Sequence, residues 1–246
     1  MRRTRPIHIL LGLALLVGCA AHPPELRVQR WSAVLGPDET IAVVNRFGDI
    51  HVRTASAGFV GLTAVAQCRA GREVIVSSPR PGGIHIHTDG TGCARIDVAL
   101  HVAPGHPVSL ETGDGRISSR GIDNPVSARS VTGEVRLQSS GTMDATTEAG
   151  AIVLRPLRPK WRGRHVARSG SGTIRALAPR RHVAVTACAA SVSIEASLGT
   201  GEDDTGCVRF QRGTGASAFD LASERGRIEI IDSTRPLEAV TGGPLP

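Results

Sequence analysis

From Val108 to Ile230 the chain repeats one short unit: an apolar-x-apolar triplet, four residues, a glycine, one residue, and a second apolar-x-apolar triplet. Full copies run Val126/Ala128, Gly133, Val135/Leu137 and Met143/Ala145, Gly150, Ile152/Leu154. Others are Val108/Leu110, Gly115, Ile117 with Ser119 in the last slot, and Phe219/Leu221, Gly226, Ile228/Ile230. Val183/Val185 and Val192/Ile194 flank Ala190 in the glycine slot, and an outlying copy reads Ile41/Val43, Gly48, Ile50/Val52. Two weaker copies show only the second half, Gly172 with Ile174/Ala176 and Gly206 with Val208/Phe210.

Alternation within each half predicts a strand with one apolar and one wet side. The two halves stand an odd number of residues apart, so one unbroken strand would point them to opposite faces. The chain must therefore turn between them, and glycine accepts the positive φ a turn demands. Slots at 115, 133, 150, 172 and 190 keep a near-constant period, which suits a stack of two-strand coils. At about 4.8 Å per strand, six or seven coils stand roughly 30 Å tall. The expected fold is thus all-β, a β-solenoid-like stack of two-strand repeats, with a β-sandwich or meander as the alternative. A stack lines up Ile117, Val135, Ile152, Ile174 and Val192 in one ladder, whereas a meander pairs the halves of each repeat.

With four Phe, two Trp and no Tyr, small aliphatic residues must fill the core. The net charge of +7 includes Arg2, Arg3 and Arg5 of an N-terminal leader, and Lys160 is the only lysine. That leader continues with an apolar run, Ile7–Val17, too short to span a bilayer comfortably, and ends Leu16-Val17-Gly18-Cys19. The ending resembles a bacterial lipobox, which implies cleavage before Cys19 and lipid attachment there. The expected organisation is a lipoprotein signal peptide over 1–18, a lipidated stalk over 19–34 and an irregular β cap with the first repeat over 35–107. Regular repeats follow over 108–231, then a flexible tail over 232–246. Cys68, Cys93, Cys188 and Cys207 remain, an even number that reads as two disulfides in an exported protein. Three connectivities are possible; pairing neighbours, Cys68–Cys93 and Cys188–Cys207, is the most economical. A zinc site is the rival, but no C-x-x-C occurs.

The segment Asn45-Arg46-Phe47-Gly48-Asp49-Ile50-His51-Val52 resembles the opening repeat of a bacterial β-strand-repeat, putative-adhesin family of unknown function. Gly113-Asp114-Gly115-Arg116-Ile117, Thr132-Gly133-Glu134-Val135, Ser171-Gly172-Thr173-Ile174 and Arg225-Gly226-Arg227-Ile228 echo it. The likeness covers about Ile41 to Ile230 and implies an envelope protein without established catalytic residues.

The most charged insertion holds Arg155, Arg158, Lys160, Arg162, Arg164 and Arg168 around Trp161, candidates for gripping an anionic glycan or lipid, or else a solvated loop. Nucleic acid is not expected, because stacking aromatics are nearly absent. His85 and His87 share a strand face, with His51 and His101 as conceivable further metal ligands, but two histidines do not make a site. Glu202-Asp203-Asp204 lacks the spaced ligands of a calcium loop and reads as an exposed acidic turn. No G-x-S-x-G elbow, H-E-x-x-H or P-loop occurs. The expectation is a lipid-anchored, non-enzymatic envelope protein, adhesin-like or a scaffold, with no cofactor and no metal. An anionic-ligand binder using the Arg155–Arg168 insertion is the alternative, and a glycan hydrolase on a β face the weaker one.

Overall fold

The computed structural model describes residues 25–234 except 37, 57, 69–73, 159–162 and 205. Cys19, Lys160, Trp161 and Arg162, together with the leader and most of the tail, lie outside the described residues.

The chain opens with β1 (Glu25–Val34), then passes through β2 (Thr40–Phe47) and β3 (Ile50–Thr54), the outlying repeat. Four strands follow before the regular units: β4 (Phe59–Cys68), β5 (Ile75–Arg80), β6 (Gly83–Thr88) and β7 (Cys93–Val102). The regular units then supply β8 (Val108–Asp114) with β9 (Ile117–Arg120), β10 (Val126–Thr132) with β11 (Val135–Ser139), and β12 (Met143–Ala149) with β13 (Ile152–Pro156). Next come β14 (Gly163–Ser171) with β15 (Ile174–Ala178), and β16 (Val183–Cys188) with β17 (Ser191–Ile194). After a single 3-10 turn, Ala196–Leu198, the chain forms β18 (Glu202–Asp204) and β19 (Cys207–Arg212). It ends with β20 (Ser217–Ser223) and β21 (Arg227–Asp232).

These strands make two sheets. Sheet I runs β1-β4-β7-β3-β9-β11-β13-β15-β21-β17; sheet II runs β18-β19-β16-β20-β14-β12-β10-β8-β2-β6-β5. Each full repeat gives its first half to sheet II and its second half to sheet I; the segment Gly206, Val208/Phe210 is not a second half, because it forms β19, which pairs antiparallel with β16 inside sheet II. Equivalent halves pair in parallel and in register: Ile50 with Ile117, Ile117 with Val135, Val135 with Ile152, and Ile152 with Ile174. No two halves of one repeat pair among the described residues, so the arrangement is a stack and not a hairpin meander. The inward aliphatic residues of both sheets form one continuous core.

The ladder departs from expectation after Ile174. Its neighbour is Ile228, and Val192 lies on the far side of Ile228. The last repeat, β20–β21, therefore slots between β14–β15 and β16–β17. The opposite end mirrors this, because β2–β3 is held between β6–β7 and β8–β9. The segment that sequence assigns to an irregular cap thus contains a full coil of the stack, β6–β7. Insertion leaves neither terminal repeat as a free edge, and three of the four sheet edges are guarded, β1 being the exception. At one end they are the short strands β17 and β18; at the other, β5 closes sheet II with Pro79, which has no N–H to offer.

Each end is also clipped by a disulfide, Cys68–Cys93 between β4 and β7 and Cys188–Cys207 between β16 and β19. Strand β1 occupies residues that sequence assigns to the stalk. Alternate side chains explain why: Gln29, Trp31 and Ala33 turn toward the core side of β4, and Gln29 Oε1 accepts the N–H groups of Val74 and Ile75 at 2.8 and 3.0 Å.

The glycine slots are set by stacking more than by turn dihedrals. A Cβ on Gly115, Gly133, Gly150, Gly172 or Gly226 would lie 1.9–2.1 Å from the carbonyl oxygen of the slot glycine one coil earlier. Three residues before Gly115, Gly133, Gly172 and Gly226, a small polar side chain turns inward and bonds that same carbonyl. Thr112 donates to Gly48 O at 3.1 Å, Ser130 to Gly115 O at 3.0 Å, Ser169 to Gly150 O at 3.2 Å and Ser223 to Gly172 O at 3.0 Å. A row of buried hydroxyls thereby satisfies acceptors that the core would otherwise strand.

Candidate functional site

The parallel register fixes which outward residues become neighbours on sheet I. One row runs from His101 on β7 to Arg53 on β3 and Arg120 on β9, with direct register pairs at both steps. The adjoining row places Ala99, His51, Ser118 and Arg136 side by side. Between and around these rows lies an open groove of about 470 Å³ lined by Arg53, Arg116, Arg120 and Arg136 with His51 and His101. Serine, glutamine and aliphatic groups complete the lining, and no carboxylate belongs to it.

Arg116 and Arg136 are anchored from one side by Glu134, at 3.3 and 2.6 Å. Asp49 and Asp97 share Arg95 at 3.0 and 2.9 Å, and Asp49 Oδ1 accepts the Arg116 N–H at 2.8 Å. Burial pushes the Asp97 carboxyl up, but hydrogen bonds from Arg95 and the Asp49 N–H outweigh it and hold the group below the usual carboxylate range. The carboxylates at this end of the face are therefore occupied. Arg53 and Arg120 are exposed, adjacent, and joined by no ion pair to a described carboxylate. His51 Nδ1 and Ser118 Oγ hydrogen-bond at 2.6 Å and present further polar atoms to the groove. Gln138, neutral and buried, interrupts the cationic row, which Arg155 of β13 resumes in register one coil further on.

The insertion does not hold its described cations together. Arg155 lies on sheet I, whereas Arg164 and Arg168 lie on β14 of sheet II. Arg158 pairs with Asp123 at 3.2 Å, and Arg164 pairs with Asp220. His85 and His87 sit on β6 of sheet II with ring centroids 6.3 Å apart, in the other sheet from His51 and His101. Among the described residues no three His, Cys, Asp or Glu side chains gather as a metal site. The acidic triplet Glu202–Asp204 is exposed edge strand β18, with Asp204 bound by Arg209 at 2.6 Å.

Sequence reading missed the groove because its residues span 51 to 138 and no single segment is conspicuously basic. The signal was present in the repeat alignment: the fourth residue of the second half reads Arg53, Arg120, Gln138 and Arg155 in four successive coils.

The fold and the groove define a class: a β stack of two mixed sheets, parallel through its repeats and antiparallel toward its ends, with a cationic outer face. No family model matches the chain, and no curated protein matches it. Solved structures similar to it carry adhesin names. One is a putative cell adhesion protein from Clostridium sporogenes, 12% identical over 84% of this chain and 100% of that one, with a TM-score of 0.45. Another is a putative adhesin from Parabacteroides distasonis, 9% identical over 83% of this chain and 97% of that one, TM-score 0.34. A third, from the same species, is named a putative lipid binding protein, at 10% identity over 87% of this chain and 95% of that one, TM-score 0.25. At those scores the likenesses carry no argument about activity. No helix among the described residues is long and apolar enough to cross a membrane.

Proposed function

We propose that this chain is a non-enzymatic cell-envelope binding protein, held to a membrane by lipid on Cys19, that grips an anionic ligand in the arginine groove of sheet I. The observation that carries the reading is the Arg53–Arg120 pair, set side by side in register with His101 next in line. Like charges directly opposite on neighbouring strands destabilise a sheet. A phosphate, sulfate or carboxylate between them relieves that repulsion, and guanidinium forks suit such groups bidentately. The stack contributes flatness and length, so the Arg53–Arg120 pair presents two cations at strand spacing, with Arg155 two coils further along.

The test is the affinity of the full chain for dextran sulfate against uncharged dextran. Salt-sensitive binding of the sulfated polymer is expected, with about a tenfold or greater loss in the double variant Arg53→Gln/Arg120→Gln. An unchanged affinity in that variant overturns the reading. A loss seen instead in Arg164→Gln/Arg168→Gln moves the ligand to sheet II and the insertion.

A further inference from the structure

The groove continues beyond His101. The same histidine lines a second depression of about 300 Å³ on this face, where β1, β4 and β7 meet, walled in part by Arg30, Phe59 and Gly61. Gly61 makes the room: a Cβ there would lie 2.7 Å from the Phe59 ring, so the ring lies against the glycine. Along β1 the outward positions are Leu26, Val28, Arg30, Ser32 and Val34. Leu26, Val28 and Val34 are 68%, 55% and 80% exposed, and Phe59, the register partner of Val34, is 43% exposed. Ser32 pairs with Gly61, and Gly61 pairs with His101, so this apolar strip borders the arginine row directly. Exposed aliphatic side chains beside uncompensated arginines offer apolar contact that a polyanion alone leaves uncovered, and they fit the boundary between lipid headgroups and acyl chains.

We infer that the outer face of sheet I docks on an anionic bilayer surface, with Val28, Val34 and Phe59 entering the headgroup boundary and Arg30, Arg53 and Arg120 meeting lipid phosphates. The inference rests on the proposed reading of the groove as an anion site and adds the identity of the surface. Chain length favours this occupant. Strand β1 begins six residues after Cys19, which spans about 20 Å at most. A lipid on Cys19 holds the β1 edge of sheet I close to the membrane plane. The carboxylates nearest the strip on this face do not oppose the approach, since Asp49 and Asp97 are bound by Arg95.

The test uses the full chain in vesicles, labelled with an environment-sensitive dye at Val28→Cys or Val34→Cys. Ser127→Cys, exposed on the outer side of β10 in sheet II, serves as the reference. In vesicles containing phosphatidylglycerol, brominated lipid is expected to quench the Val28 and Val34 labels about threefold more than the Ser127 label. Pure phosphatidylcholine or high salt should erase the difference, and so should Arg53→Gln/Arg120→Gln in the labelled background. Equal quenching on the two sheets overturns the docking, as does quenching indifferent to the arginine pair. If quenching is equal while dextran sulfate still binds through Arg53 and Arg120, docking falls and the groove reading stands; loss of both removes both. Label protection without vesicles that grows with protein concentration assigns the face to a second copy and overturns the membrane assignment.

Discussion

His165 occupies the first apolar slot of β14, a place filled by Val126, Met143 and Phe219 in other coils. Its neighbours follow from register: Asp144 pairs with Val166, which sets Met143 beside it, and Phe219 pairs with it directly, with rings 5.0 Å apart. The side chain is fully buried, and burial lowers its pKa from 6.5 to about 4. The folded state therefore keeps the imidazole neutral while the unfolded chain takes up a proton below pH 6.5. Stability from this group is complete above that pH and is lost as pH falls toward 4. The interval from 6.5 to about 4, at 1.36 kcal/mol per pH unit, corresponds to about 3 kcal/mol, of which roughly 2.5 kcal/mol is gone by pH 4.5. Urea unfolding followed by circular dichroism at pH 7.5 and 4.5 reads this out. His165→Met, which copies Met143 one coil away, should cut the acid-induced loss by about 2 kcal/mol. Asp97 and Asp232 are pushed up by burial but held below the usual carboxylate range by their hydrogen bonds, so their stabilising contributions persist to lower pH in both proteins. An identical pH dependence in wild type and His165→Met would refute the reasoning.

Stacking predicts a different outcome at two glycines outside the left-handed region. Gly150→Ala should cost about 1–3 kcal/mol through collision with Gly133 O, while Gly90→Ala, whose Cβ would meet only Phe47 at 3.8 Å, should stay within about 0.5 kcal/mol in the same urea titration. Replacing both Cys188 and Cys207 by Ala should cost about 3 kcal/mol, read as a lower urea midpoint; hydrogen exchange should rise first in β18 and β19, which that bridge clips to the stack. Cys19→Ala should release the chain from the membrane fraction, and intact mass of the wild-type protein should show acyl chains on a Cys19 terminus; an unmodified terminus at another residue rejects the anchor.

Much of the fold was legible in the chain because period-2 alternation and a fixed glycine spacing survive any error in detail. The in-register ladder from Ile117 to Ile174 follows from them directly. The coil order at both ends was not legible, since Val192 and Ile228 carry the same local pattern and only tertiary pairing decides which lies beside Ile174. His165 hid a whole half-repeat for a related reason: an imidazole in an apolar slot breaks the pattern that a search for aliphatics follows. The slot glycines were visible, and Gly48, Gly115 and Gly133 do take positive φ, but that is only part of their cause. Gly150 needs no positive φ, and the carbonyl of Gly133 is what excludes a side chain there. The groove emerges only when the repeats are aligned by column, because Arg53 and Arg120 are distant in sequence and adjacent only through parallel pairing.

Hydrogen exchange with and without dextran sulfate tests the central claim most directly, because it locates the ligand without changing a residue. Slowed exchange should fall on β3, β9 and β11 of sheet I and leave β10, β12 and β14 of sheet II unchanged. Protection confined to β14 and the insertion, or spread equally over both sheets, would contradict the arginine groove as the binding face.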